Sequence, residues 1–179
     1  MNTSGIGKGY VQVYTGNGKG KTTAALGLAF RAMGRGLKTY IGQFMKGQAY
    51  SELKAAAMVS PYITIEQYGK ETFTYGHDSP LEEDIQRVRE GLAKATAAML
   101  SNKYDIVVLD EIVTSHFFHH VSLKEILEII QLKPAGVELI LTGRYAPPEL
   151  ITAADLVTEM QEVKHYYQQK VNAREGIER

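Results

Sequence analysis

The sequence contains no cysteine and no tryptophan, carries no net charge and has no long apolar run. The lack of cysteine excludes disulfides, a thiol nucleophile and thiolate metal sites. Twenty basic residues balance twenty acidic ones, so the basic surface expected of a nucleic-acid-binding protein is missing. No segment reaches the roughly 20 apolar residues that span a bilayer, and the first residues lack the apolar core of a secretory signal. We therefore expect a cytoplasmic protein that binds neither nucleic acid nor membrane.

The sequence does contain a regular alternation of short β-type segments and longer helical ones. Ser122 and Glu125 form the capping box that opens one of these helices. The order of the segments predicts a single α/β domain, residues 1–179, in which helices cover both faces of a mostly parallel sheet and make three layers. Six segments predict strands, at 9–15, 37–45, 62–68, 105–110, 137–142 and 155–160.

A glycine-rich turn, TGNGKGKTT at 15–23, follows the first predicted strand and opens a helix. It matches the end of the phosphate-loop pattern G-x-x-x-x-G-K-[ST], with Thr15 in place of the first glycine. Its glycines let backbone amides approach an anion beside the positive end of the helix dipole. Lys21 adds a full charge, and Thr22 adds a hydroxyl suited to a magnesium ion on phosphate. A tight turn without a ligand is the alternative. Gly27, inside the helix, predicts close packing on the sheet.

Two further segments carry polar residues at the ends of predicted strands. IVVLDE is an apolar strand that ends in Asp110 and Glu111, at the edge where open α/β sheets bind ligands. Magnesium prefers carboxylate and water oxygens, so these two residues are candidate metal ligands, with a solvated acidic loop as the alternative. LTGRY places Arg144 at the same edge, where it contacts a phosphate or forms a surface salt bridge. The sequence leaves both possibilities open.

The histidines of HFFHH are discounted as a zinc site. His116 and His120 stand four residues apart, as zinc ligands on a helix can. Phe117 replaces the glutamate of the H-E-x-x-H pattern, and no nearby acid completes a site. We predict that this segment lines a substrate pocket or a subunit contact.

Together these segments resemble the phosphate-loop type of ATP:corrinoid adenosyltransferase, also called ATP:cob(I)alamin adenosyltransferase. They follow in order from about residue 10 to residue 178, and the threonine at position 15 belongs to the family pattern. The resemblance implies a RecA-like phosphate-loop NTPase fold and MgATP, with Mg²⁺ or Mn²⁺ as the metal. The resemblance is carried by TGNGKGKTTAALGLAFRAMGRG, QFMKG, VVLDE, LTGR, ADLVTEM, VKH and GIE.

The resemblance implies a reaction that the loop alone does not predict. A reduced Co(I) corrinoid, either cobalamin or a precursor, attacks the 5′ carbon of ATP and takes the adenosyl group, and inorganic triphosphate leaves. The family binds the phosphate chain reversed in the loop, relative to ordinary ATPases. By position, the resemblance implies that Lys21, Thr22 and Glu111 are the catalytic residues and that Thr22, Asp110 and Glu111 hold the metal. The residues expected to bind ATP are Gly16, Asn17, Gly18, Lys19, Gly20, Lys21, Thr22, Thr23 and Arg144.

The resemblance also implies partners. Phe73 and Tyr75, in ETFTYG, match a family segment whose aromatic residues face the corrinoid and keep its lower ligand off cobalt. Ordinary packing within a loop is the alternative for both residues. A homodimer and a flavoprotein reductant are further expectations. The chain starts about nine residues before its first predicted strand, so the N-terminal segment that covers a neighbouring subunit's site in the family is expected to be missing or supplied otherwise.

Two other functions use the same loop. One is a phosphate-loop ATPase or kinase in which Glu111 acts as the general base. The other is a carrier that binds nucleotide or corrinoid without turnover. Inorganic triphosphate and an adenosylated corrinoid distinguish the transferase from both.

Overall fold

The computed structural model describes residues 5–70 and 81–178, which build one sheet with helices on both faces. Each predicted strand segment contains one observed strand, and the predicted ends extend beyond it by at most two residues. The strands are β1 (Val11–Thr15), β2 (Thr39–Phe44), β3 (Ile63–Tyr68), β4 (Ile106–Asp110), β5 (Glu138–Thr142) and β6 (Leu156–Glu159). The helices are α1 (Lys21–Met33), α2 (Ser51–Met58), α3 (Glu82–Leu100), α4 (Ile112–Phe117), α5 (Leu123–Leu132) and α6 (Pro148–Ala153), followed by a short 3₁₀ helix (Tyr166–Gln169).

The strands lie in the order β3-β2-β4-β5-β1-β6, and every neighbouring pair is parallel. The prediction of a mostly parallel α/β sheet is therefore confirmed. Because all six strands run the same way, their carboxyl ends meet at one edge of the sheet. The segments that follow β1, β2, β4 and β5 all begin there, which is where ligands bind in open sheets of this kind.

Two apolar clusters, one on each face of the sheet, make the three layers. Ala25 and Ala29 of α1 pack with Val108 of β4 in one cluster. The neighbouring Val107 and Leu109 belong to the other cluster, together with residues of α3, α5 and α6. Adjacent residues of a strand point to opposite faces, so a central strand covered on both faces is apolar throughout. This explains why IVVL in β4 has no polar position.

Helix α5 begins as the sequence predicts. The Ser122 hydroxyl accepts a hydrogen bond from the Glu125 amide at 3.2 Å, and the Glu125 carboxylate accepts one from the Ser122 amide at 2.8 Å. The capping box is thus confirmed. Among the residues that the structure describes, no helix is long and apolar enough to cross a membrane.

Two helical glycines lie in opposite surroundings and give a matched stability test. A Cβ at Gly91 of α3 would come within 2.5 Å of the Tyr68 ring and 2.8 Å of the Phe44 ring. A Cβ at Gly27 of α1 would meet nothing within 4 Å, so the predicted close packing at Gly27 is wrong. We expect Gly91→Ala to lower the free energy of unfolding by about 1–3 kcal/mol through overpacking. We expect Gly27→Ala to raise it by up to about 1 kcal/mol through helix propensity.

Urea unfolding of the two variants and the parent protein measures both changes. A Gly91→Ala protein as stable as Gly27→Ala would contradict the close approach of the two rings to Gly91.

Candidate active site

The glycine-rich turn joins β1 to α1 and packs closely against the segment that follows β6. Gly16 and Gly20 have φ of 96° and 123°, a region that favours glycine. Gly18 does not, but a Cβ there would lie 2.7 Å from the Gln161 carbonyl oxygen, and its amide donates to the Met160 carbonyl at 2.7 Å. The turn thus needs glycine for backbone conformation at two positions and for close approach at the third.

Lys21 is the first residue of α1, and its side chain is folded back over the turn. It is only 6% exposed, and its ammonium donates to the carbonyls of Gly16 and Gly18, both at 2.8 Å. Burial lowers the pKa of Lys21, and the nearby Glu111 carboxylate partly offsets this. A cation is therefore held at the centre of the loop, within reach of an anion that the loop encloses.

Asp110, the last residue of β4, is completely buried and is the centre of a polar network. One carboxylate oxygen accepts hydrogen bonds from the hydroxyls of Thr22 at 2.9 Å and Thr142 at 2.7 Å. The other forms a 2.8 Å ion pair with the Lys46 ammonium and lies 3.4 Å from the Gln43 amide. The network joins the phosphate-type loop to the ends of β2, β4 and β5.

Lys46, Thr142 and Gln43 were not among the residues that the sequence singled out for the site. Lys46 belongs to QFMKG, a segment that the resemblance included without giving it a role. Burial lowers its pKa, but the charge and hydrogen bond of Asp110 outweigh burial and raise it overall. The sequence does place Lys46 and Thr142 at or just after the ends of two strands. It does not show that these strands lie on either side of β4, which is what brings both side chains to Asp110.

Glu111 follows Asp110 in a left-handed backbone conformation, with φ of 64°. Its amide donates to the Thr142 hydroxyl at 2.9 Å, and its carboxylate accepts from the Thr114 hydroxyl at 2.5 Å. Left-handed residues also follow β2 and β5, at Met45 and Tyr145. Such conformations are costly outside glycine and cluster at functional sites, so their position at this edge supports the assignment of the site.

Two cavities meet at this edge of the sheet. One, of about 550 Å³, is lined by the loop from Gly18 to Thr23 and by Glu111, and exposed Arg144 borders it. The second, of about 620 Å³, is lined mainly by aromatic and polar side chains that include Phe118 and Tyr145. Lys46, Tyr50, Glu111, Arg144 and His165 line both cavities.

The C-terminal segment covers part of the first cavity. The Lys19 ammonium lies 3.2 Å from the Glu178 carboxylate, which also pairs with Arg174 at 2.9 Å. Gly176 and Ile177 line the cavity beside it. The pKa of Glu178 is lowered to about 2, first of all by its hydrogen bond from Arg174. Lys19 at the rim of the loop is thus paired with a carboxylate of the C-terminal segment.

The other predicted site residues are distributed as follows. Asn17 and Thr23 are exposed, at the tip of the loop and in the first turn of α1. The rings of His116 and His120 have separate partners: the Val121 carbonyl at 3.0 Å and the Ser115 hydroxyl at 3.4 Å. Within residues 5–70 and 81–178, no three His, Asp or Glu side chains converge on a metal position. Phe73 and Tyr75 lie outside the described residues.

The donor atoms around Asp110 suit a hard divalent cation. Magnesium sites in nucleotide-binding proteins use one or two carboxylates with substrate phosphates and water, rather than an all-protein cage. The Asp110 carboxylate, the Thr22 hydroxyl and the Glu111 carboxylate are oxygen donors of this kind. The residues present therefore fit Mg²⁺ or Mn²⁺ bound together with a polyphosphate.

Four features define a phosphate-loop nucleotide-binding protein: a parallel sheet, a glycine loop at the start of a helix, a buried lysine on that loop, and an acidic residue at the end of β4, which only β5 separates from β1. The chain belongs to the family described as ATP:corrinoid adenosyltransferase BtuR/CobO/CobP, whose model matches residues 7–179. It is an enzyme that transfers the adenosyl group of ATP to a corrinoid. The resemblance found in the sequence is thus confirmed.

Comparisons with individual proteins agree with the family. The chain is 34% identical to the corrinoid adenosyltransferase of Pseudomonas aeruginosa over 171 residues, which cover 96% of this chain and 84% of the relative. It is 33% identical to the corrinoid adenosyltransferase of Escherichia coli K12, and the match covers 96% of this chain and 86% of that relative. In fold it is similar to the flagellar accessory protein FlaH of Methanocaldococcus jannaschii, with a TM-score of 0.58 and 11% identity over 88% of this chain and 73% of that one. It is also similar in fold to a KaiC-like protein of Pyrococcus horikoshii, with a TM-score of 0.53 and 16% identity. That match covers 88% of this chain and 74% of the other.

Proposed function

We propose that the first cavity binds the triphosphate of ATP and that this geometry performs the adenosyl transfer. The observation that carries the proposal is the buried Lys21 ammonium, held over the loop by two carbonyl groups beside the amides of α1. A triphosphate offers oxygens that replace these carbonyl partners. Lys19 and Arg144 border the same cavity and supply further positive charge to the phosphate chain.

The proposed metal site consists of Thr22, Asp110 and Glu111, with Mg²⁺ or Mn²⁺ as the ion. When bound with ATP, the ion neutralises charge on the phosphate oxygens. Thr142 and Gln43 hold the Asp110 carboxylate in a fixed orientation. Thr114 does the same for Glu111. The chain thereby supplies oxygen donors that need little rearrangement when the nucleotide arrives.

The proposed reaction is a nucleophilic substitution at the 5′ carbon of ATP. The Co(I) centre of the corrinoid, which is the second substrate, donates its electron pair to that carbon. The bond from carbon to phosphate oxygen breaks, and inorganic triphosphate carries away the electrons. No side chain has to act as a nucleophile. The contribution of the protein is to bind the leaving group, to neutralise its charge and to hold the ribose where the two cavities meet.

Product analysis tests this proposal directly. Chemically reduced corrinoid, MgATP and the protein are mixed without oxygen, the spectrum is followed for the cobalt–carbon product, and the phosphates are separated. We expect one inorganic triphosphate for each adenosylated corrinoid. ADP with phosphate as the products would instead indicate a phosphate-loop ATPase with Glu111 as the base, and binding without turnover would indicate a carrier.

The family resemblance also supports a second subunit, a reductant and a corrinoid-facing segment. We propose that the protein is a cytoplasmic homodimer, that a flavoprotein supplies the electrons, and that Phe73 and Tyr75 face the corrinoid. Light scattering on the purified protein tests the homodimer, which is expected to have twice the mass of the chain. A value equal to one chain would contradict it.

A further inference from the structure

Lys46 lies between two of the residues that would hold the proposed metal ion, Thr22 and Asp110. It lies two residues after the end of β2, and Met45 between them has a left-handed backbone conformation with φ of 58°. The Lys46 ammonium is 2.8 Å from one Asp110 carboxylate oxygen and 3.2 Å from the Thr22 hydroxyl oxygen. Only 16% of its side chain is exposed, and none of that of Asp110 is. Lys46 therefore contacts two of the three groups assigned to the metal.

An ammonium and a divalent ion compete for such a position. Both need the same carboxylate oxygen at close range, and two cations so near each other repel strongly at a site with little water. The loop-side partner, Thr22, has one hydroxyl oxygen to share between them. Either the ion or the Lys46 ammonium holds the space between Thr22 and Asp110.

We propose that Lys46 is an internal cation that keeps the metal position filled in the nucleotide-free protein and moves away when a divalent ion binds with the polyphosphate. This proposal rests on the metal site assigned above. The new position of the ammonium is toward the cavities, because Lys46 lines both of them and already lies 5.4 Å from the centre of the Tyr50 ring. There the phosphate chain replaces Asp110 as its anionic partner.

The arrangement makes metal and nucleotide binding depend on each other. Without a polyphosphate, a divalent ion must displace the ammonium from its buried pair with Asp110. The carboxylates that remain near Lys46 are already engaged, because Glu52 accepts a hydrogen bond from Gln43 and Glu111 is itself assigned to the ion. With a polyphosphate, the displaced ammonium pairs with a phosphate oxygen. Lys46 is thus a positioning residue that disfavours binding of the metal alone and favours binding of the metal–nucleotide complex.

The test measures Mn²⁺ binding to the full-length protein without nucleotide, by electron paramagnetic resonance of the free ion. Lys46→Met leaves the buried Asp110 charge without its ion-pair partner, so we expect Mn²⁺ to bind at least about tenfold more tightly than to the parent protein. Lys46→Arg keeps the charge and is the matched control, and we expect its Mn²⁺ affinity to stay as low as that of the parent. Lys46→Gln, which retains a polar group, provides a second neutral variant if Lys46→Met folds poorly.

Adding Asp110→Asn to the neutral variant identifies which proposal fails. We expect the double variant to lose the tight Mn²⁺ binding, because the carboxylate that attracts the ion is gone. Unchanged or weaker Mn²⁺ affinity in both neutral variants overturns the role of Lys46 and leaves the metal site untouched. Tight binding that persists in the double variant places the ion elsewhere and overturns the metal site itself.

Discussion

Replacing Lys21 with alanine is expected to lower kcat/KM for adenosylation by about 10²–10³-fold, the usual effect of removing one preorganised charge from a transition state. Negative charge moves onto the triphosphate as the carbon–oxygen bond breaks, and the Lys21 ammonium is held at the loop that we propose binds the triphosphate. In a buried position this charge is screened far less than on the surface. The measurement is single-turnover formation of the cobalt–carbon product with chemically reduced corrinoid.

Lys103→Ala is the control for this experiment. Lys103 is an exposed lysine in the segment before β4, at the opposite edge of the sheet from the loop, so its removal should leave kcat/KM unchanged. Thermal unfolding of both variants shows whether the fold is retained. A Lys21→Ala protein that folds and keeps full activity would mean that the phosphate chain binds somewhere else.

Replacing Glu111 with glutamine is expected to reduce adenosylation by about 10²-fold at low Mg²⁺ concentration. The amide keeps the shape of the side chain and a carbonyl oxygen that accepts the hydrogen bond from Thr114. What is lost is the negative charge, and with it much of the attraction for a divalent cation. A site with lower metal affinity is occupied again at a higher metal concentration, so raising the Mn²⁺ concentration should restore part of the activity.

The dependence of rate on Mn²⁺ concentration distinguishes a metal ligand from a proton-transferring base. Added Mn²⁺ does not restore the activity lost when a general base is removed. An activity that stays low at every Mn²⁺ concentration would therefore contradict the assignment of Glu111 as a metal ligand. Glu128→Gln, on the exposed side of α5, is the matched control and should behave like the parent protein.

The parts of the site that the sequence predicted are those that depend on local structure. Glycines between a strand and a helix, followed by Lys21 and Thr22, define the loop through backbone conformation and spacing alone. Asp110 could be placed at the end of a strand because IVVL is apolar at every position. Strand boundaries were predicted to within two residues for the same reason: the signal lies in neighbouring residues.

The contacts of Lys46 and Thr142 could not be predicted in this way. They reach Asp110 because β2 and β5 are the two neighbours of β4, and nothing in the sequence of any one strand specifies its neighbours. The same holds for Gly18, whose need for glycine comes from Gln161, more than 140 positions along the chain. The open space beside Gly27 is likewise not visible in the sequence, because a helical glycine shows no sign of which side of the helix is covered.

The sequence by itself determined the kind of elements, their order and the chemical groups available for binding ATP and a metal. Only the tertiary structure decided that Lys46 pairs with Asp110, that Glu178 pairs with Lys19, and that two cavities share a common wall. The reason is physical: periodicity and turn chemistry act over a few residues. Strand order and the path of the C-terminal segment are instead fixed by packing between residues far apart in the chain.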